Sequence, residues 1–246
     1  MEVNQIYNRD SYDFIKEMPD NSVDLIYVDV PYLYKSGGAG KSEFGQRLQK
    51  RKNQLNNLKI RDGFDYKEFA KQSLRVVKKV NIMIWCSKDQ IHDLLNEYMK
   101  TPNIVYDILT WNKLNPAPMT NNRWLSDIEY CLHFKEKGVL MSQGYHLKSK
   151  WHTSTINKKD KDDFNHPTIK PLDLVKRHIE HTTQEGDIVA DFFLGSGTTA
   201  VAAKELGRKY IGVEIDKEYY EIAKNRLNGI TANGQTSIFT DFEGSE

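Results

Sequence analysis

The stretch that most restricts what this chain can become runs from Ile188 to Glu214. A strand ends at Asp191-Phe192-Phe193, a loop Leu194-Gly195-Ser196-Gly197 follows, a helix runs from Thr198 to Leu206, and Gly207 turns the chain into a second strand, Tyr210 to Glu214. Glycines at a strand-to-helix turn let backbone amides approach a ligand closely. Glu214 closes the second strand nineteen residues after Gly195, where a carboxylate can accept bonds from both hydroxyls of a ribose. The same two glycines would equally serve a tight turn that binds nothing, so the rest of the chain has to decide.

The first thirty residues have a related layout. Gln5-Ile6-Tyr7 reads as a strand ending at Asn8-Arg9-Asp10, Ser11 as the cap of a helix from Tyr12 to Glu17, and Val23 to Asp29 as a strand. The right-handed crossover rule predicts that these two strands are parallel neighbours. Asp10 and Asp29 then fall at carboxyl ends of strands, the edge where open α/β sheets bind ligands. Asp29 leads into Val30-Pro31-Tyr32, a carboxylate beside a ring able to stack on a flat substrate, which suits chemistry on a planar nitrogen.

Between these units the periodicity predicts an amphipathic helix carrying Tyr66, Phe69, Leu74 and Val77, a strand Val80 to Cys86, and a helix after Asp89. Strands near Ile104 to Trp111 and Ile128 to Phe134 follow with no helix between them, so an antiparallel pair at one edge is expected. Leu172, Val175 and Ile179 mark a further helix behind Pro171, and a last one spans Lys217 to Leu227. At 246 residues one α/β domain, 1–246, is expected rather than two small ones. No apolar stretch reaches the roughly 18 residues of a membrane span. The N-terminus shows no basic-then-apolar leader, so the sequence predicts a cytoplasmic protein. Cys86 and Cys131 sit in apolar strands and are too few for a disulfide framework or zinc site, so no metal is expected.

Two segments break the regular pattern. Residues 36–62 form a loop whose neighbourhood, Lys35 to Arg61, holds eight Lys or Arg residues against the single acid Glu43. Residues 138–165 are polar and irregular. With a net charge of only +1, it is this local excess, and not the total, that speaks of a polyanionic partner.

Two details of the glycine loop turn it away from a dinucleotide. A third glycine is missing, since Thr198 and Thr199 follow Gly197, and Asp191 precedes the glycines. A carboxylate there repels a pyrophosphate and can pair with an ammonium group. Adenosine joined to a cationic amino-acid tail describes S-adenosylmethionine.

Taken together, Asp29-Val30-Pro31-Tyr32, His166-Pro167-Thr168-x-Lys170-Pro171 and the loop from Asp191 to Thr199 resemble the S-adenosylmethionine-dependent DNA amino-methyltransferases. Their order is similar to that of the permuted beta group of the family. The resemblance implies an α/β fold with a Rossmann-like, mostly parallel seven-stranded sheet, one antiparallel strand and circularly permuted motif order. Strands near residues 6, 26, 83, 107 and 131 would be the third to seventh, and those near 190 and 212 the first and second. It further implies a cofactor site of Asp10, Thr168, Lys170, Asp191, Phe193, Gly195, Ser196, Gly197, Thr198 and Glu214. Within it, Asp10 would reach the adenine amine, Glu214 hold the ribose, Asp191 face the ammonium, and Thr168 and Lys170 lie near the methionine carboxylate.

The catalytic set implied is Asp29, Val30, Pro31 and Tyr32. The Asp29 side chain and the Val30 carbonyl would accept hydrogen bonds from an exocyclic amine, and Tyr32 would stack on a base swung out of the duplex. The family commonly has a second proline where this chain has Val30; only the carbonyl is asked to act, but the ring's stiffness is lost. Asp at the first position leans toward adenine N6, with cytosine N4 the alternative and a catalytically silent DNA-binding relative a third reading. Double-stranded DNA would be gripped by Lys35, Lys41, Arg47, Lys50, Arg51 and Lys52 of the basic segment. Arg123, and Lys148 and Lys150 of a target-recognition insertion at about 138–165, would add to that grip. A solvated charged loop remains the plainer reading of the basic segment, as ordinary loop contacts do for Asn115, Arg123 and Trp124 beside a base pocket. A homodimer and a separately encoded restriction endonuclease complete the set of partners that the resemblance admits.

Overall fold

The computed structural model describes residues 1–31, 64–116, 124–139, 141–142, 144, 147–155 and 169–230. In chain order its elements are β1 (Gln5–Asn8), α1 (Ser11–Glu17), β2 (Leu25–Asp29), α2 (Tyr66–Val76), β3 (Asn81–Cys86), α3 (Ile91–Tyr98), β4 (Ile104–Lys113), β5 (Ile128–Glu136), β6 (Trp151–Ser154), α4 (Leu172–Thr182), β7 (Ile188–Asp191), α5 (Thr198–Glu205), β8 (Lys209–Glu214) and α6 (Lys217–Leu227).

The strands form one sheet in the order β1-β8-β7-β2-β3-β5-β4-β6. β5 runs antiparallel to both its neighbours, β3 and β4, and every other pairing is parallel. One antiparallel strand was expected; eight strands instead of seven were not. The additional strand, β6, lies in the segment read as irregular. Trp151-His152-Thr153-Ser154 has no apolar alternation to announce it, and it becomes a strand by pairing its backbone with Thr110 to Lys113 of β4.

The crossover expectation for the first unit needs correction too. β1 and β2 run the same way but are not neighbours, because β8 and β7 lie between them. The C-terminal β-α-β unit slots into the middle of the sheet, as the permuted order requires. It places the switch point, where successive connections leave in opposite directions, between β7 and β2.

β2 and β3 are buried on both faces, which is why they read as unbroken apolar runs. Ile26, Val28, Ile82 and Ile84 join Phe14, Phe69 and Leu94 in one core layer. Leu25, Tyr27, Met83 and Trp85 join Leu174, Val175, Ile179, Ala202 and Ala203 in the other. Each Val, Leu, Ile, Phe or Met side chain among these stabilises the fold by about 1.5–3 kcal/mol. Alternation along β2 puts Asp29 on the side of Tyr27, the layer that α4 and α5 cover.

Helix α1 starts one residue earlier than the sequence suggests. Asp10, not Ser11, is the cap: its Oδ1 accepts from the amides of Tyr12 (2.8 Å) and Asp13 (3.0 Å). One carboxylate oxygen accepts both orphan amides, and Ser11 is thereby released to donate its hydroxyl to the carbonyl of Phe192. That bond ties α1 to the start of the glycine loop. Cys86 and Cys131 are buried free thiols. Among the described residues no helix is long and apolar enough to cross a membrane.

Candidate active site

Two groups of residues meet at the carboxyl edge on either side of the switch point. On the β7 side, Asp191 ends its strand fully inside the protein. Its Oδ1 accepts the Phe193 amide at 3.0 Å. Burial pushes the carboxyl up to about 7, against the bonds from Thr199 and Phe193, and Asp29 and Glu214 add to the rise. Among the described residues no lysine or arginine forms an ion pair with Asp191, so a buried acid stands where a cation would be held. This fits the ammonium of an amino-acid tail.

Glu214 ends β8 beside it. Its Oε2 accepts the Gly195 amide at 2.7 Å and its Oε1 the Asp216 amide at 2.9 Å. Burial raises this carboxyl as well. Each oxygen keeps a second lone pair, so the residue can brace the loop and still receive ribose hydroxyls. Asn8 of β1 pairs with Glu214 and donates from Nδ2 to its carbonyl at 2.8 Å, which brings Asp10, two residues on, to the same edge. The Phe193 ring packs 5.6 Å from that of Phe69 and 5.8 Å from that of Phe64.

The loop takes its shape from glycine. Gly195 and Gly197 have φ of 55° and 83°, and a Cβ on Gly197 would lie 3.0 Å from that of Ala223 in α6. From the same helix the buried Arg226 donates from Nη1 to the Thr198 hydroxyl at 2.7 Å and to the Ser196 hydroxyl at 3.3 Å. The two hydroxyls expected to serve the cofactor are therefore engaged by α6. Sequence reading missed Arg226, because a lone arginine on a charged helix looks like a solvated one. Thr168 lies outside the described residues.

On the β2 side, Asp29 ends its strand opposite Trp85 of β3. The Val30 amide donates to the Trp85 carbonyl at 3.2 Å, extending the ladder by one residue, and the Val30 side chain is buried. A proline here would lack that donor. Gln90, also buried, donates from Nε2 to the Pro31 carbonyl at 3.0 Å, and its Oε1 accepts from the Ser87 amide and hydroxyl. The loop after Asp29 is thus pinned at two consecutive residues by bonds that stand in for the missing ring. Tyr32 lies outside the described residues.

Lys170 reaches this group from the segment before α4. Its Nζ lies 2.5 Å from Asp29 Oδ2 and 2.9 Å from Glu129 Oε2, and 5.1 Å from the centre of the Trp85 ring. Glu129 also receives Lys113 Nζ at 2.5 Å. Burial alone would lower Lys170, but Asp29 and Glu129 override it and raise the ammonium. Burial alone would raise Glu129, yet Lys170 and Lys113 hold it down at about 2. Neither Glu129 nor Lys113 carried any local sequence signal.

Of the side chains expected to hold DNA, Lys148 is exposed, while Lys150 is exposed but paired with Asp107. Trp124 is 96% exposed. Lys35, Lys41, Arg47, Lys50, Arg51, Lys52 and Arg123 lie outside the described residues, as does the basic loop 36–62.

An open sheet whose switch point joins an acid-flanked glycine loop to a second acid-led loop defines the doubly wound class, which binds its ligands at this edge. Comparison with known proteins narrows this class. The family described as DNA methylase, covering N6- and N4-directed methyltransferases, matches residues 23–225. The Type II methyltransferase M2.DpnII of Streptococcus pneumoniae is 32% identical over 242 residues, spanning 90% of this chain and 88% of its own. The M1.HpyAVI–SAM complex superposes with a TM-score of 0.66 at 29% identity, covering 91% of this chain and 99% of its own. The cytosine-N4-specific PvuII DNA methyltransferase shares the fold, with a TM-score of 0.69 at 17% identity over 92% of this chain and 87% of its own. The chain belongs to the DNA methylase family.

Proposed function

We propose that the protein methylates the N6 amine of adenine in double-stranded DNA with S-adenosylmethionine as donor. The observation that carries this reading is the meeting of Asp191 and Asp29 at the ends of paired strands. One acid has no cation partner among the described residues and suits the cofactor's ammonium, and the other leads a pinned loop of acceptors. Asp191, Glu214, the glycine loop and Phe193 would hold the cofactor, with Asp10 at the same edge. When bound, the cofactor supplies a methyl group on a sulfonium, which departs as a neutral thioether. Asp29 accepts one amine hydrogen and the Val30 carbonyl the other, drawing the nitrogen toward a tetrahedral shape and freeing its lone pair from the ring. The proton released as the nitrogen–carbon bond forms passes to the Asp29 carboxylate already bonded to it. Positioning and desolvation supply most of the rate. Tyr32 stacks on the extruded base, which cannot be reached inside the duplex.

A single domain carries all of this, with 36–62 assigned to DNA contact and 138–165 to reading the target. Exposed Lys148 supports the second assignment. The name of the M2.DpnII relative supports a restriction-modification role beside a separate endonuclease. Val105, Tyr106 and Ile108 are exposed on β4 where β6 no longer covers it, which supports a homodimer. A cytoplasmic setting belongs to the same reading.

The test incubates the protein with methyl-labelled S-adenosylmethionine and duplex DNA and separates the nucleosides. Label is expected in N6-methyladenine. Label in N4-methylcytosine would overturn the adenine assignment, and cofactor binding without transfer would mark a silent relative. Asp29→Ala is expected to abolish transfer while cofactor affinity, followed by calorimetry, stays within about threefold of wild type, since that side chain serves the acceptor.

A further inference from the structure

Four charged side chains cross the ligand edge in a row: Asp29 from β2, Lys170 from the segment before α4, Glu129 from β5 and Lys113 from β4. The contacts are 2.5 Å and 2.9 Å at Lys170 and 2.5 Å between Glu129 and Lys113. The reversed direction of β5 makes the row possible. Parallel strands bring their last residues to this edge, as β2 does with Asp29, whereas β5 brings its second residue, Glu129. Glu129 sits opposite Trp111, and Cys131 opposite Trp85, so the row lies over a floor of two indoles. Lys113 Nζ is 5.3 Å from the Trp111 ring and Lys170 Nζ is 5.1 Å from that of Trp85.

Lys170 is only 9% exposed. A buried ammonium is tolerated when anions offset its charge, and here Lys170 donates to Asp29 and has the Glu129 carboxylate 2.9 Å away as a second ion-pair partner. Glu129 would be a costly buried charge beside Lys170 alone were its second oxygen not satisfied by Lys113. The arrangement fixes Lys170 from behind, and Lys170 in turn holds Oδ2 of the acid that leads the acceptor loop. An anchor of this kind sets the direction in which Asp29 presents its carboxylate.

We infer that Lys170 is a positioning residue for Asp29, backed by Glu129 and Lys113, and is not a holder of the cofactor's carboxylate. The inference rests on the proposed methyl transfer at Asp29 and adds three residues to the machinery of that step.

Lys170→Met, Glu129→Gln and the double variant test it, with turnover measured at saturating cofactor and cofactor affinity measured separately by calorimetry. Lys170→Met is expected to lower kcat about 100-fold, the scale of a misplaced reacting group, with the cofactor Kd within about twofold of wild type. Glu129→Gln is expected to lower kcat about tenfold with the same unchanged Kd, because it only loosens the anchor. In the double variant the loss should equal that of Lys170→Met alone, since Glu129 acts through Lys170. An intact calorimetric isotherm also shows that each variant has folded. A Kd raised tenfold or more in Lys170→Met, with kcat at saturation unchanged, would overturn the inference, and so would independent losses that multiply. If the wild-type protein transferred no methyl group to DNA, the proposed function would fall. The Lys170 assignment would still be decided by calorimetry, where an unchanged Kd keeps it and a lost affinity removes it.

Discussion

Asp191 carries the sharpest consequence at the scale of single residues. Its carboxyl is pushed up to about 7 by burial, and the cofactor's ammonium requires the ionised form. Below that value binding has to expel a proton first. Affinity for S-adenosylmethionine is therefore expected to fall about tenfold per pH unit below pH 7. Calorimetry from pH 5.5 to 7.5 would check this, with Asp191→Asn expected to bind weakly and without the slope. Val30 is instructive in another way. Its departure from the family pattern reads in sequence as a loss of stiffness, yet the structure shows an amide bonded to Trp85 and a carbonyl at Pro31 held by Gln90. The strand-end placement of Asp29, Asp191 and Glu214 was legible because an acid that closes an apolar run is a local signal. Gln90, Glu129 and Arg226 were not, because the partners Pro31, Lys170 and Thr198 that tie them to the site lie at least 28 positions away in the chain.

Among the elements, the contact of α6 with the start of α5 decides whether the glycine loop keeps its shape. Gly197 combines a φ of 83° with an approach to Ala223 that leaves no room for a methyl group. Gly197→Ala is expected to cost about 2–4 kcal/mol from backbone strain and overlap together. Denaturant unfolding would measure that loss, and cofactor binding should weaken with it, because the displaced loop carries the Gly195 amide that Glu214 braces. Helices and strands with a clear apolar period were legible, α6 to the residue. β6 was not, because a strand that exists through backbone pairing with β4 leaves no mark in side-chain alternation. The α1 cap moved by one residue because Asp10 and Ser11 are both able caps, and the choice was made by Phe192, distant in sequence, which takes the Ser11 hydroxyl.

For the whole molecule, the buried titratable groups pull stability in opposite directions with pH. His133 is held down at about 3 by burial, with Lys135 adding to the effect, and its Nε2 bonds Asn81 Oδ1 at 2.9 Å. Burial holds His178 well below its usual range too. Their folded values lie below the unfolded one, so the stability they contribute is complete above about pH 6.5 and is lost as pH falls. Asp191 has the reverse sign. Its folded value is raised, so its contribution is full below about pH 4 and is lost as pH rises through about 7, on the order of 4 kcal/mol. Empty Asp191→Asn protein is therefore expected to melt above wild type at pH 7.5, with the gap largely closed at pH 5. Thermal melts across that range would show it. The numbering of the strands by permuted motif was legible in the sequence, but their order was not, since the crossover rule set β1 beside β2 and the C-terminal unit lies between them. The row from Asp29 to Lys113 was not legible either, since it depends on four segments reaching one edge. That row has a consequence beyond the site. Alternating charges that sum to zero have no net monopole, so their field fades within a few ångströms instead of extending over a screening length of about 8–10 Å. Lys113 and Lys170 are thus electrostatically silent toward an approaching polyanion, and the long-range pull on DNA, with its salt dependence, falls to lysines and arginines elsewhere on the surface.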